Sequence, residues 1–266
     1  MMRRKTDMVV LIIFLCSLNL LLFAVWKLLG TYAEYRQGAE TYEELQSYIQ
    51  MPDVDKRKDM PEEQAAETDD LGKGYLQVDF DGLKKVNPDV AAWLYIPALE
   101  AGYPVVHGED NDYYLHHMFD GQENKSGSIF IDCHNNPDFT DRNTIVYGHN
   151  MNDGSMFGTL ERYQALELYQ QYPYFYIYVP GYVLEYQIIS CYAGRNGSVG
   201  YTYSFPRIED FQEFLNLIRS YAGYDTGIKT EDSDHIVTLS TCVNSDGNYR
   251  YLVHGKFMRK IQNKEN

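Results

Sequence analysis

Ile236-Val237-Thr238-Leu239-Ser240-Thr241-Cys242 is a run of β-branched and apolar residues that ends on a single cysteine. Such a run reads as a buried strand. Asn244, Ser245, Asp246 and Gly247 then signal a turn. Arg250 follows and opens a second strand, Tyr251-Leu252-Val253-His254-Gly255-Lys256-Phe257. A strand, a short turn and a returning strand make a hairpin, which places Cys242 and Arg250 across its mouth. Far upstream, Thr144-Ile145-Val146-Tyr147 runs into Gly148 and presents His149. The three pieces put a cysteine, an arginine and a histidine each at a strand end.

Outward from that hairpin the chain reads as mainly β. Further strands are expected at Trp93–Ile96, Val105–Val106, Ser128–Asp132, Tyr174–Val179 and Val183–Tyr192, most of them separated by Gly, Pro, Asn or Asp. With the Thr144–Tyr147, His235–Thr241 and Tyr251–Met258 strands, this density suggests a closed or nearly closed barrel. Among the 25 tyrosines, many fall in strand-like runs. One helix interrupts the series: Ile208, Phe211, Phe214, Leu215, Ile218 and Tyr221 recur at helical spacing between Pro206 and Tyr221, just before the cysteine strand. A shorter helix, Gly82 to Val86, is expected behind an Asp81 cap and is ended by Pro88.

The first part of the chain has a different character. Met8 to Trp26 is nineteen residues without a formal charge, long enough to span a bilayer as a helix. Arg3, Arg4 and Lys5 precede it, so the positive-inside rule puts the N-terminus in the cytoplasm. The apolar run exceeds the core of a usual signal peptide, and no small-x-small cleavage site follows it. The expected layout is a cytoplasmic segment over 1–7, a transmembrane anchor over 8–29, an extracellular helix and acidic linker over 30–74, and a catalytic domain over 75–266. Tyr32, Tyr35, Ala39, Tyr42, Leu45 and Ile49 form a helical apolar stripe expected to pack on that domain. The net charge of −15 argues against nucleic acid as a partner, since phosphate binding requires a basic surface.

Cys16 lies in the span, which leaves Cys133, Cys191 and Cys242 outside it. An odd count in an exported domain points to at least one free thiol. Pairing of Cys133 with Cys191 stays open, as does burial of both as small apolar residues. Cys133-His134 lacks a second ligand pair at zinc-like spacing, so no metal site is assigned. No cofactor is called for either.

A thiol is mostly protonated at neutral pH, and a neighbouring imidazolium or guanidinium favours the nucleophilic thiolate. His149 fits that role and can then protonate a leaving amine. Arg250 cannot act as a base, so its part is to donate to an oxyanion or a substrate carbonyl. The set suits acyl transfer through a thioester.

Thr238-Leu239-Ser240-Thr241-Cys242, a strand-borne Arg250 after it and Tyr147-Gly148-His149 before it resemble a sortase. Tyr103-Pro104-Val105-Val106, Asp110 to Leu115, Lys125 to Phe130, and Asn87-Pro88-Asp89 with Trp93 are similar to class B in order and spacing. The resemblance spans roughly Asp79 to Phe257. It implies an eight-stranded sortase barrel with N-terminal helices. It implies a cysteine transpeptidase outside a Gram-positive membrane, held there by its N-terminal helix. The partners implied are exported proteins with a C-terminal sorting motif, cleaved after Thr, and a cell-wall precursor amine as acceptor. His149, Cys242 and Arg250 match the family's catalytic positions; Asn111, Leu115, Tyr201 and Ser240 fall where class B enzymes line the peptide groove. Two other readings stand beside this one. A thiol peptidase would release the same acyl group to water, and an adhesin would use Cys242 only for packing.

Overall fold

The computed structural model describes residues 2–50, 74–243 and 246–263. The acidic linker over 51–73 and the turn residues Asn244 and Ser245 lie outside them.

One uninterrupted helix, α1 (Met2–Leu45), carries both the apolar span and the segment after it. From Leu11 onward it is long and apolar enough to cross a membrane, and the side chains of its apolar part are exposed. Its C-terminal part packs on the body through Tyr42 and Leu45, with Tyr35 half-buried beside them. Tyr32 and Ala39 of the expected stripe stay exposed, and Gly38 makes the close contact instead. A Cβ at Gly38 would sit 2.6 Å from Ser126 Oγ, so only glycine lets the helix backbone approach this near. Strands β1 (Ile49–Gln50) and β2 (Gln77–Val78) then form a small antiparallel pair.

Helix α2 (Phe80–Val86) begins two residues earlier than an Asp81 cap would dictate. The cap is Asp79, whose carboxylate accepts from the Gly82 N–H at 2.8 Å.

Eight strands close the barrel: β3 (Val90–Ile96), β4 (Ala101–His107), β5 (Ile129–Ile131), β6 (Asn143–Tyr147), β7 (Tyr174–Val179), β8 (Tyr182–Arg195), β9 (Ile236–Val243) and β10 (Asp246–Gln262). Their order around the barrel is β10-β8-β7-β3-β4-β5-β6-β9. Two neighbouring pairs, β4–β5 and β6–β9, are parallel, and the rest are antiparallel. Every strand expected from the sequence is present, several of them longer than their apolar run.

Two short helices, α3 (Tyr113–His116) and α4 (Leu166–Gln171), sit in the connections. Trp93, Phe119, Phe130, Phe157, Phe175 and Tyr186 fill the main core. Helix α5 (Ile208–Ser220) lies between β8 and β9 in sequence, and buries Phe211, Phe214, Leu215 and Ile218 against Ile189, Tyr192, Ile236 and Leu252. Burying such side chains contributes roughly 1.5–3 kcal/mol each. Cys133 and Cys191 are both free. Cys191 is buried in the core, whereas Cys133 is partly exposed beside His134, so burial as an apolar residue describes only the first.

Candidate active site

The parallel pairing of β6 and β9 decides how the site is built. Tyr147 and Ser240 are register partners, and the ladder continues with Gly148 N–H donating to Ser240 O at 3.1 Å. Two residues past each partner come His149, just beyond β6, and Cys242, near the end of β9, so both lie at the same end of the barrel. Adjacent strands lie roughly 4.8 Å apart. Asn150 closes the pairing, its Nδ2 donating to Cys242 O at 2.6 Å. On the other side of β9, Arg250 of β10 is the direct cross-strand partner of Cys242. The sequence expected β10 to open near Arg250; it begins at Asp246 instead, and pairs again with β9 at Val243.

His149 is half-buried and tightly held. Gly148 precedes it at a point where a Cβ would strike Ile129 and Phe157. The His149 carbonyl accepts from Phe157 N–H at 2.9 Å. Its Nε2 lies 2.7 Å from Leu115 O. A carbonyl only accepts, so Nε2 carries the hydrogen and Nδ1 is left for proton exchange. Leu115 therefore reaches the site through its backbone. Arg250 is held by the start of its own strand, one guanidinium nitrogen donating to Gly247 O at 2.7 Å and Tyr249 O at 3.1 Å.

Of the expected groove residues, Tyr201 and Ser240 come together. Tyr201 sits in a 3₁₀ turn, Val199–Tyr201, and its hydroxyl lies 2.7 Å from Ser240 Oγ. Burial pushes the Tyr201 phenol up, while the Ser240 hydrogen bond and the Arg250 charge pull the other way and Cys242 pushes it up again. The phenol is thus within electrostatic reach of both Cys242 and Arg250. Asn111 is not bonded to that pair: its Oδ1 accepts from Cys133 N–H at 2.8 Å and its Nδ2 donates to Asp132 at 3.0 Å.

Asp132 was not legible as a site residue. Its buried carboxylate accepts from Asn111 Nδ2, from Tyr147 OH at 2.8 Å, and from His134 N–H at 3.0 Å, and its Oδ1 lies 2.8 Å from His134 Nδ1. Tyr147 in turn stacks on Tyr201, ring centroids 6.3 Å apart. Asp132 thereby links Asn111 to the Tyr201–Ser240 pair. Burial pushes its carboxyl up, but the hydrogen bonds from His134, Tyr147 and Asn111 outweigh this and hold it below the usual value. Its only sequence signal is a polar residue directly after the apolar Ile129–Ile131 strand. Asp132, Cys133 and His134 also bring their ligand atoms within 4.8 Å of one another, the donor set nearest to a metal site among the described residues. Two of those three are already committed to each other.

A sortase-domain family model matches residues 94–258. Sortase B of Listeria monocytogenes is 33% identical over 250 residues, covering 92% of this chain and 95% of that one. The chain belongs to the sortase family, class B. The crystal structure of Clostridium perfringens sortase B matches this sortase with a TM-score of 0.64 at 32% identity, covering 67% of this chain and 99% of that one. A Staphylococcus aureus sortase B–substrate complex matches with a TM-score of 0.69 at 26% identity, covering 85% and 99%. The sortase is thus a cysteine transpeptidase of the kind that anchors surface proteins.

Proposed function

We propose that Cys242, His149 and Arg250 are the catalytic set of a membrane-anchored transpeptidase that joins sorting-motif proteins to a cell-wall amine. The observation that carries this is the register of three neighbouring strands, with Arg250 opposite Cys242 on one side and Asn150 bonded to the Cys242 carbonyl on the other.

The Cys242 thiolate adds to the carbonyl carbon of the motif's Thr, forming a C–S bond and moving the C=O electron pair onto oxygen. Arg250 donates hydrogen bonds to that oxyanion. The intermediate then collapses, the C–N bond breaks, and protonated His149 gives its Nδ1 proton to the departing amine. A thioester on Cys242 remains. In the second half the amine of a cell-wall precursor adds to the thioester, His149 takes its proton, and the Cys242 thiolate leaves as the new amide forms. Asn111, Leu115, Tyr201 and Ser240 line the peptide groove in this reading. Arg3, Arg4 and Lys5 before the apolar span support an N-terminus in the cytoplasm and a catalytic domain outside.

The test is product analysis on the full chain in detergent, with sorting-motif peptides and with or without added triglycine. The expected result is a Cys242-linked acyl adduct by mass, an amide product that appears with the amine, and loss of both in Cys242→Ala. Release of free acid alone, unaffected by amine, would identify a thiol peptidase. An unreactive Cys242 would sink the catalytic reading.

A further inference from the structure

The helix that carries the apolar span also ends against the loop that holds His149. Asn124 Nδ2 donates to Glu34 O at 3.0 Å, and Lys125 pairs with the Glu34 carboxylate at 2.5 Å. One helical turn beyond the Gly38–Ser126 contact, the buried Tyr42 hydroxyl donates to Gly127 O at 2.5 Å. Gly127 has φ +53°, and a Cβ there would lie 2.7 Å from Leu115 O and 3.0 Å from His149 Cδ2. It is packed against both the imidazole edge and the carbonyl that accepts from His149 Nε2. Glycine is needed there for conformation and for space alike.

Tyr42 reaches the same histidine by a second route. Its ring sits edge-on to Tyr103, centroids 5.6 Å apart at 80°. The Tyr103 hydroxyl accepts from Met156 N–H at 2.8 Å. Met156 forms a bridge with Asn150, and the next residue, Phe157, donates to the His149 carbonyl. One side chain of α1 therefore braces the imidazole through Gly127 and the His149 backbone through Tyr103.

We propose that Tyr42 is a positioning residue for His149, so that docking of the membrane-proximal helix sets the imidazole's placement and, through it, the ionisation of Cys242. The proposal rests on the reading above that His149 and Cys242 act together in one catalytic set. Tyr42 lies on the same unbroken helix as the span, about 20 Å beyond Leu29 at 1.5 Å per residue. With no joint between them, anchor and imidazole belong to one mechanical unit. Barrel closure by itself leaves the imidazole without this brace.

The experiment follows iodoacetamide alkylation of Cys242 against pH in the full chain in detergent micelles. Peptide mass spectrometry reads Cys242 separately from the partly exposed Cys133, and thermal melting confirms that each variant is folded. Tyr42→Phe keeps the ring contact and removes the hydroxyl. It should move the midpoint of the profile upward and slow alkylation at pH 7 roughly two- to ten-fold, the range spanned by one net hydrogen bond. Gln46→Ala removes a different docking bond, from Gln46 Nε2 to Gly102 O at 2.9 Å, and should leave the midpoint in place. His149→Ala should move it at least as far as Tyr42→Phe. A wild-type profile in Tyr42→Phe, with His149→Ala still shifted, overturns the proposal and leaves the catalytic set standing. An equal shift in Gln46→Ala also overturns it, because general loosening of the helix would then be sufficient. If His149→Ala leaves the profile unmoved, the pairing with Cys242 fails and the proposal falls with it.

Discussion

Arg250 and Cys242 are direct cross-strand partners in the β9–β10 ladder, and the Arg250 guanidinium is tied to the carbonyls of Gly247 and Tyr249 at the start of its own strand. The tie fixes where the remaining donors point. Arg250→Lys keeps a positive charge beside the thiol but loses the planar fork that offers parallel donors. Peptide turnover should fall on the order of 10²–10³-fold, the usual cost of one oxyanion donor. Alkylation of Cys242 by iodoacetamide should persist. Turnover at the wild-type rate would remove Arg250 from the transition state.

Ser240 and Tyr201 share one hydrogen bond, so their contributions should not add. Ser240→Ala and Tyr201→Phe are each expected to weaken transpeptidation while leaving the fold intact. If the two hydroxyls act as a unit, the double variant should be no worse than the poorer single one. Strict additivity in kcat/KM would show that the bond is incidental to the groove.

Asp132 faces donors only, so Asp132→Asn turns an amide N–H₂ toward at least one of them. Leaving a buried polar group unmatched costs about 1–3 kcal/mol. The melting temperature should drop accordingly, and peptide KM should rise as Asn111 and Tyr147 lose their common acceptor. Because its folded pKa is depressed, Asp132 contributes stability above the ordinary carboxylate range, and this is lost as the pH falls through the folded value. Acid unfolding should therefore begin at higher pH in Asp132→Asn. An unchanged acid transition would mean that other carboxylates control it.

His254 predicts a second pH effect, in a different window. It is fully buried, and its Nδ1 lies 2.8 Å from Thr238 Oγ1. That hydroxyl spends its hydrogen on Asn143 Oδ1, so His254 Nδ1 must be the donor and Nε2 the bare nitrogen. Burial pushes the imidazole down to about 3. The unfolded chain binds a proton near pH 6.5 and the folded one does not, so stability should fall as the pH drops from about 6.5 toward 3, by up to about 1.4 kcal/mol per unit. Denaturant melts from pH 7 to pH 5 read this slope. His254→Asn should be less stable throughout yet show a flatter dependence; an identical slope would assign the effect elsewhere.

Local pattern was enough for the eight strands, for α5, and for the three residues at strand ends, because alternation, helical period and turn residues are properties of short windows. The family resemblance supplied the candidate groove residues, and of these the sequence could not say that Leu115 meets His149 through its carbonyl or that Asn111 is held by Asp132. What local pattern did not contain were the quantities that depend on a distant partner. β10 extends to seventeen residues because β8 and β9 flank it on both sides, well past its own apolar run. Gly38 replaced Ala39 in the helix contact because Ser126 stands opposite. Asn150 meets Cys242 across 92 residues of sequence, and Tyr42 meets Gly127 across 85. Such contacts follow from the parallel β6–β9 pairing and from the docking of α1. Both are choices of topology rather than of propensity, and a hydrogen bond between segments so far apart leaves no periodic trace in either one.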